Sequence, residues 1–323
     1  MYNSHDSADT AGFTHYFKPA KGHWKYSLLN LLLRTTVKWR HGLEVDVGSV
    51  RKQVAKLDRQ APSQLPGIKR LQADCNGVSG EWLVPDNHRD NQVLLYIHGG
   101  AFVAATPDVH AAMVAPWCQS LQAKALMVDY RLSPEHPFPA ASDDCLSAYK
   151  WLLEQGFEPN DIVIAGDSAG GNLVLSTLLR LKAEQLALPV CAVLLSPFLD
   201  FTLSGRSALT NARRDPIFTS GFAIGIRNHY APAELHSDPR VSPLLGDFSG
   251  LPPMLFQVGS TEMLLDDSVR AATKANEQGI PVQLDIWESL PHVFQTIDAL
   301  PQAKVAAQRI CRFIAENAEW NQS

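Results

Sequence analysis

A short glycine-flanked segment holds a serine in the sequence context of a nucleophile. Gly166–Gly170 reads GDSAG, which fits the pattern G-x-S-x-G, and it follows a strand-like run and precedes a helix-like stretch. Small residues at both glycine positions permit the sharp, strained turn that this pattern forms between strand and helix. The amides at the start of the helix would favour negative charge developing near the serine. The sequence therefore predicts that Ser168 is a nucleophile for acyl transfer.

A second glycine-rich segment, His98–Phe102 (HGGAF), directly follows the apolar run Val93–Ile97. It resembles the HGGG loop whose backbone N–H groups form part of an oxyanion hole. Its residues must be small because the backbone itself has to approach the substrate oxygen. We interpret His98 as a residue that orients this loop and not as a catalytic base.

The order of residues along the chain selects a base and an acid. When G-x-S-x-G marks the nucleophile of an α/β-hydrolase, the acid and then the histidine follow it. Of the eleven histidines, only His292 lies beyond the strand-like run Met254–Val258, which makes it the predicted base. The acid should lie in the loop just past that strand, where it can hold the imidazole in the correct tautomer. Glu262 fits this position, and Asp266, one turn further on, is the alternative.

Strand-like and helix-like segments alternate from about residue 90 onward, which predicts an α/β fold with a mostly parallel central sheet flanked by helices. Two earlier segments, near 68–73 and 79–84, could add antiparallel edge strands. The strand-like runs are Val93–Ile97, Ala125–Tyr130, Ile162–Ala165, Cys191–Leu195, Met254–Val258 and Val282–Trp287. The helix-like stretches are roughly 108–122, 141–155, 169–187, 262–278 and 302–318.

Two regions break this alternation, and we predict that they form a helical cap over the sheet. Residues 1–60 are the N-terminal cap segment and residues 200–245 the second cap segment, which leaves 61–199 and 246–323 as the catalytic domain. Apolar side chains from these parts should enclose a pocket of limited depth above Ser168. The residues expected there are Trp24, Leu28, Leu32, Trp39, Phe198, Phe201, Phe218, Phe222 and Tyr230.

Composition excludes several other classes of protein. The chain has 323 residues, 46% of them apolar, and a formal net charge of −5, which disfavours nucleic acid as a partner. The five cysteines include no C-x-x-C pair, so reduced thiols in a cytoplasmic protein are expected. The N-terminus does not resemble a signal peptide, and the apolar run Leu28–Leu33 is too short for a transmembrane segment.

Taken together, the motifs resemble those of the hormone-sensitive lipase family of α/β-hydrolases. The matching segments are His98–Phe102, Asp129–Ala140, Gly166–Gly171, Gly259–Asp267 and Pro291–Phe294. The family often has D-P-L-x-D at the acid, where this chain has Glu262 at the first position and Asp266 at the fifth. A second departure is Ala101 in place of the third loop glycine.

The resemblance implies Ser168 as nucleophile, His292 as general base and then acid, and Glu262 as the residue that orients His292. It also implies an oxyanion hole made by N–H groups of Ala169 and of Gly99, Gly100 and Ala101, most clearly the last two. No metal or organic cofactor is required.

The implied activity is that of a serine carboxylesterase acting on small-molecule esters, with acyl chains of about two to eight carbons preferred in a confined pocket. A homodimer formed through an edge strand is a further expectation from the family. An N-acyl amide or formamide hydrolase would use the same residues. A non-catalytic ligand-binding module is disfavoured because His292 is present. A nucleotide-binding protein is disfavoured because G-x-G-x-x-G and the P-loop pattern are missing from the sequence.

Overall fold

Short, continuous apolar segments such as Val93–Ile97 form strands that are buried along their whole length. Consecutive apolar side chains can be hidden only when helices cover both faces of a sheet. The structure, a computed structural model, describes residues 12–18, 23–36, 45–318 and 320. Within these residues the strands are Thr14–Phe17 (β1), Ile68–Cys75 (β2), Val78–Pro85 (β3), Val93–Ile97 (β4), Lys124–Val128 (β5), Ile162–Asp167 (β6), Cys191–Leu195 (β7), Met254–Gly259 (β8) and Val282–Trp287 (β9).

The strands form one sheet in the order β1-β9-β8-β7-β6-β4-β5-β3-β2. Neighbours from β1 to β5 in this order are parallel, whereas β3 is antiparallel to β5 and β2 is antiparallel to β3. The predicted mostly parallel sheet with two antiparallel strands at one edge is therefore confirmed. Because the parallel strands point the same way, their carboxyl ends meet at one edge of the sheet, where ligand sites of such folds lie.

Helices fill the connections between the strands. Those in the described residues are His23–Thr36 (α1), Val47–Asp58 (α2), Pro107–Leu121 (α3), Ala140–Glu154 (α4), Ala169–Ala183 (α5), Ser207–Thr210 (α6), Ser220–Tyr230 (α7), Leu265–Glu277 (α8) and Pro301–Ala318 (α9). Four of the five predicted helices begin within one residue of these bounds. The fifth begins at Leu265 and not at 262, because the chain from Ser260 to Leu264 forms a turn between β8 and the helix. Glu262 therefore lies in a loop.

Alternate residues of the central strand β4 pack into two different cores. Leu95 and Ile97 belong to a cluster with side chains of α4, α5 and α8, while Leu94 and Tyr96 belong to a cluster with side chains of α3 and α9. This division follows from strand geometry, since successive side chains point to opposite faces. The sheet is thus held between two helical layers, and its carboxyl edge is a rigid base for the loops that carry polar residues.

Strand β1 corrects the predicted N-terminal cap segment. Thr14–Phe17 pairs parallel with β9, and Phe17 stands opposite Trp287 with the two rings stacked 4.2 Å apart. Residues 14–17 are therefore part of the sheet and not of a cap. Four residues without apolar alternation give little strand signal, and the pairing depends on a distant part of the chain. The expected homodimer stays a prediction; in the described sheet the two outer strands are β1 and β2.

Parts of both proposed cap segments meet beside the His98–Phe102 loop. Val50 of α2 and Ile226 of α7 share an apolar cluster with Val103, which directly follows that loop. His229 Nε2 lies 3.1 Å from the carbonyl oxygen of Val45, which adds a polar contact between the same two regions. No helix within the described ranges is both long and apolar enough to cross a membrane.

Candidate active site

Ser168 occupies a strained turn between β6 and α5. Its backbone has φ +53° and ψ −116°, a left-handed conformation that non-glycine residues rarely adopt. Hydrogen bonds hold the turn in place: the N–H of Ser168 donates to Leu195 O at 2.8 Å, and Ser168 O accepts from Phe198 N at 3.0 Å. Strain that persists because its surroundings fix it is typical of a functional position.

The small residues around Ser168 are required by close packing. A Cβ atom on Gly170 would lie 2.0 Å from the carbonyl oxygen of Ile97 at the end of β4. Glycine at this position lets the first turn of α5 approach the strand that leads into the His98–Phe102 loop. The N–H of Ala169, the first residue of α5, has no acceptor inside the helix, and no other acceptor for it is seen among the described residues.

Glu262 and His292 form a buried hydrogen-bonded pair. Glu262 Oε2 lies 2.7 Å from His292 Nδ1, and the glutamate is 0% exposed. Its other oxygen, Oε1, accepts from Gly259 N at 2.5 Å and from Ser196 Oγ at 2.8 Å. A carboxylate fixed by three donors holds the imidazole in one orientation and selects the tautomer with its proton on Nδ1.

Asp266, the alternative acid, has a structural contact elsewhere. Its Oδ2 accepts from the N–H of Ser207 at 3.0 Å, which joins the start of α8 to the short helix α6. The next residue, Asp267, accepts from Leu199 N and Asp200 N at 2.7 and 3.1 Å and so supports the turn that follows β7. Neither contact involves His292.

Ser196 and Asp215 contribute to this site and were not predicted. Ser196 follows β7, and its Oγ both donates to Glu262 and accepts from Val293 N at 3.3 Å. Asp215 is buried and accepts from Phe218 N at 2.9 Å and from Met263 N at 2.8 Å. Burial raises the pKa of the Asp215 carboxyl. A serine directly after a buried strand was the one available signal for Ser196.

The structure corrects one member of the predicted oxyanion set. The N–H of Gly99 donates to Asp167 Oδ1 at 2.9 Å and is therefore already used. Gly100 has φ +119°, and a Cβ there would lie 2.0 Å from Ala104 O, so a glycine is needed for this turn. Among the described residues, no acceptor lies within hydrogen-bonding distance of the N–H groups of Gly100 and Ala101.

Asp167 joins the two glycine-rich segments through a buried ion pair. Its Oδ1 accepts from Tyr96 Oη at 2.7 Å and lies 3.1 Å from His110 Nε2. Burial alone would raise the pKa of Asp167, but the charge of His110 and the hydrogen bonds outweigh it and lower the pKa to about 2. Burial would lower the pKa of His110, but the charge of Asp167 outweighs it and raises the pKa. The segment around Ser168 is therefore attached to the His98–Phe102 loop by charged hydrogen bonds.

His98 lies beside this ion pair and supports the loop, as its predicted role requires. Its Nδ1 is 2.6 Å from Gly99 O, and its ring stacks on Tyr130 at 4.3 Å. Burial, together with the charge of His110, lowers the pKa of His98 to about 4. A neutral ring packed in this way cannot serve as the base for Ser168.

A small apolar pocket, called here the Ser168 pocket, has a volume of about 30 Å³. It is lined by Ala101, Ser168, Ala169, Phe198, Phe218, Phe222, Ala223, Ile226 and Leu264. The ring of Phe218 also contacts the ring of His292, with centroids 4.6 Å apart. The wall of the pocket therefore touches the histidine of the Glu262–His292 pair.

Only part of the predicted apolar roof lines this pocket. Phe198, Phe218 and Phe222 do so, whereas Phe201 and Tyr230 lie in the main core, where Phe201 stacks on Phe198 and Tyr230 on Phe102. The prediction was wrong for Leu28 and Leu32, each of which is 56% exposed on α1. Apolar periodicity marks one face of a helix but does not say what covers it. Trp39 and the side chain of Trp24 lie outside the described residues.

Comparisons with known proteins agree with this geometry. Residues 94–296 match a family model described as the alpha/beta hydrolase fold. An esterase from Acinetobacter venetianus is 37% identical over 292 residues, which cover 90% of this chain and 96% of that protein. An acetyl-hydrolase from Streptomyces hygroscopicus is 35% identical over 231 residues, which cover 71% of this chain and 77% of that protein. The crystal structure of an esterase from the bacterial hormone-sensitive lipase family has a TM-score of 0.85 at 34% identity, covering 93% of this chain and all of that one.

The chain belongs to the α/β-hydrolase family, in its hormone-sensitive lipase branch. It is a carboxylic ester hydrolase.

Proposed function

We propose that this enzyme hydrolyses short-chain acyl esters through an acyl-enzyme formed on Ser168. The observation that carries the proposal is the contact of 2.7 Å between His292 Nδ1 and a fully buried Glu262. It leaves His292 Nε2 as the proton acceptor, and Phe218 lies against both this ring and the pocket at Ser168. Ser168, His292 and Glu262 are thus the proposed nucleophile, base and orienting acid.

The proposed reaction has two steps. Ser168 Oγ attacks the ester carbonyl carbon while His292 Nε2 takes the hydroxyl proton. The resulting oxyanion accepts hydrogen bonds from the backbone N–H groups of Gly100, Ala101 and Ala169. The tetrahedral intermediate expels the alcohol, which receives its proton from His292. Water then attacks the acyl-enzyme by the same route and releases the carboxylic acid. The N–H groups of Gly100 and Ala101, for which no acceptor is seen within the described residues, support this assignment.

The dimensions of the Ser168 pocket favour small acyl groups. A volume of about 30 Å³ with an almost wholly apolar lining has room for few carbon atoms. Each buried methylene stabilises binding by about 0.8 kcal/mol until the pocket is full, and further carbons must then remain in water or displace the wall. The name of one relative, acetyl-hydrolase, agrees with this preference.

The division of the chain into a catalytic domain and a cap is also a proposal. We place the cap in residues 23–36, 45–60 and 200–245, with the catalytic domain at 61–199 and 246–323. The contacts of α2 with α7 support it, as does the hydrogen bond from Arg34 to Arg214 O, which brings α1 to the second segment.

Two measurements test the proposed function. Mass spectrometry after treatment with a fluorophosphonate should find one adduct, on the peptide that contains Ser168. Turnover of p-nitrophenyl esters of increasing acyl length should rise over the first few carbons and then fall, and Ser168→Ala should abolish it. An adduct on another serine, or normal turnover by folded Ser168→Ala, would refute the assignment. An efficiency that keeps rising with chain length would contradict the short-chain preference alone.

A further inference from the structure

Three polar side chains of the second cap segment lie four residues apart in the chain and are all buried. They are Ser207, Asn211 and Asp215. Backbone hydrogen bonds of the helical type join them: Asn211 N donates to Ser207 O at 2.9 Å, and Asp215 N donates to Asn211 O at 2.7 Å. Because this spacing places side chains on the same face of a helical turn, the three form one row, called here the 207–215 row.

The 207–215 row binds the backbone of the loop of residues 260–264, at the peptide bond that follows Glu262. The carbonyl oxygen of Glu262 accepts from Asn211 Nδ2 at 2.9 Å, and the N–H of Met263 donates to Asp215 Oδ2 at 2.8 Å. These two atoms belong to one peptide unit, so side chains of the cap segment bind both its acceptor and its donor. Ser207 Oγ adds a hydrogen bond of 2.7 Å to the carbonyl oxygen of Met263.

This binding fixes the backbone from which the Glu262 side chain extends. A peptide unit is planar and includes the Cα atoms on both sides, so holding its two polar atoms holds the Cα of Glu262 as well. The other end of the side chain is fixed by Gly259 N and Ser196 Oγ, which both donate to Oε1. The sheet thus holds the carboxylate that faces His292, and the cap segment holds the backbone that carries it.

Asp215 connects the 260–264 loop to the wall of the Ser168 pocket. Its Oδ1 accepts from Ile217 N at 2.8 Å and from Phe218 N at 2.9 Å. The ring of Phe218 lines the pocket and lies 4.6 Å from the ring of His292, measured between centroids. One buried carboxylate therefore holds the loop of Glu262 with one oxygen and the pocket wall with the other.

We propose that Asn211 and Asp215 are positioning residues of the reaction, which keep the Glu262 carboxylate against His292 by holding the Glu262–Met263 peptide bond. The proposal rests on the proposed function, in which Glu262 orients His292. It gives the second cap segment a part in the chemical step. A cap that only encloses the acyl group would act on substrate binding, whereas a segment that acts through Glu262 must change the rate of proton transfer.

Asp215→Asn tests the contact to Met263 while sparing the pocket wall. The remaining oxygen can still accept from Phe218 N, but an amide group replaces the oxygen that faces Met263 N. With p-nitrophenyl acetate, kcat should fall about tenfold and KM should stay nearly constant, because the lost interaction supports the transition state. Asn211→Leu, which removes the donor to Glu262 O, should have the same effect. Unchanged kcat in both folded variants would overturn the proposal, as would a change in KM alone.

Asp200→Asn is the matched control. Asp200 is a buried carboxylate of the same cap segment and also accepts from backbone N–H groups, those of Thr202 and Ser204, at 2.9 and 3.3 Å. None of its hydrogen bonds involves the 260–264 loop, so kcat should stay nearly constant. An equal fall in kcat for Asp200→Asn and Asp215→Asn would overturn the proposal. Thermal unfolding checks that each variant is folded.

A double-mutant cycle separates positioning from a general loss of structure. In the Glu262→Gln background the carboxylate is already gone, so adding Asp215→Asn should lower kcat much less than it does alone, since residues that act through one another are not additive. Equal fold-losses in both backgrounds would overturn the positioning role and leave the proposed function intact. Full activity of Glu262→Gln would instead refute Glu262 as the orienting acid, and the positioning role with it.

Discussion

Ser196 donates its hydroxyl hydrogen to Glu262 Oε1 over 2.8 Å, on the carboxylate oxygen that does not face His292. The same hydroxyl oxygen accepts a hydrogen bond from the backbone N–H of Val293, the residue after His292. One small side chain that follows β7 therefore holds both Glu262 and the loop that carries His292. This arrangement makes the orientation of the Glu262–His292 pair depend on a third strand of the sheet.

Replacing Ser196 should impair the reaction more than the fold. Ser196→Ala leaves Glu262 without one of its three donors, and losing a hydrogen bond to a charged, buried group costs about 1–3 kcal/mol, so kcat should fall about tenfold. Steady-state kinetics on a p-nitrophenyl ester measures the effect. Ser176→Ala is the matched control, because Ser176 is a buried serine that donates to Arg240 O instead. Equal kcat values for the two variants would contradict the prediction.

Glu262 and Asp266 should differ strongly in their effect on turnover. Glu262→Gln removes the charge that orients His292 and stabilises its protonated form, so kcat should fall by about 10²–10⁴ if the effect in other triads transfers. Asp266→Asn should change kcat much less, because its contact is with Ser207 N. Circular dichroism confirms folding before kinetics are compared. The reverse ranking would move the acid to Asp266.

The Asp167–His110 pair predicts a specific pH dependence of stability. The lowered pKa of Asp167 gives stability that is present above pH 3.8 and lost as the pH falls through about 2. The raised pKa of His110 gives stability that is present below pH 6.5 and lost as the pH rises through its higher, folded-state value. The pair therefore contributes most between pH 3.8 and 6.5.

Urea unfolding of His110→Gln across this range tests that dependence. Its loss of unfolding free energy relative to the unsubstituted chain should be greatest between pH 3.8 and 6.5 and should shrink at higher pH. His136→Gln, at an exposed histidine, should show no such profile. A constant difference at every pH would mean that the two groups do not form an ion pair.

Enlarging the Ser168 pocket should shift the acyl-chain preference. Ile226 lines this pocket, and Ile226→Ala should move the optimum to longer esters, with a gain in kcat/KM of about fourfold for each additional methylene that can now be buried. Val50→Ala removes similar bulk from the same apolar cluster but not from the pocket wall, so it should keep the original profile. If both variants have the same dependence of kcat/KM on acyl length, the pocket does not limit the length of the acyl chain.

The sequence predicted those features that depend on local pattern. Continuous apolar runs located the central strands, and the helices between them were found almost to the residue because their lengths and compositions are distinctive. Glu262 and His292 could be selected because their positions after β8 and β9 bring them to the same edge of a parallel sheet. Local signals combined with strand order thus selected two residues that the structure brings into contact, whereas their catalytic roles stay a prediction.

The missed features depend on contacts between distant segments. Ser196 reaches Glu262 only because β7 and β8 are neighbours in the sheet, and nothing in the residues around Ser196 indicates the partner. Gly99 was wrongly included in the oxyanion set because the carboxylate that takes its N–H belongs to Asp167, on the other glycine-rich segment. Leu28 was misplaced because an apolar helix face predicts burial without specifying its cover.

The pairing of β1 with β9 also has a consequence for the order of assembly during synthesis. Thr14–Phe17 is synthesised long before its partner Leu284–Trp287, and the long loop between them is costly to close. Of the described strands, the one that comes first in the chain should therefore be among the last to be paired. The loop that carries His292 follows β9 directly, so the pairing of β1 and the placement of His292 depend on the same late-synthesised part of the chain.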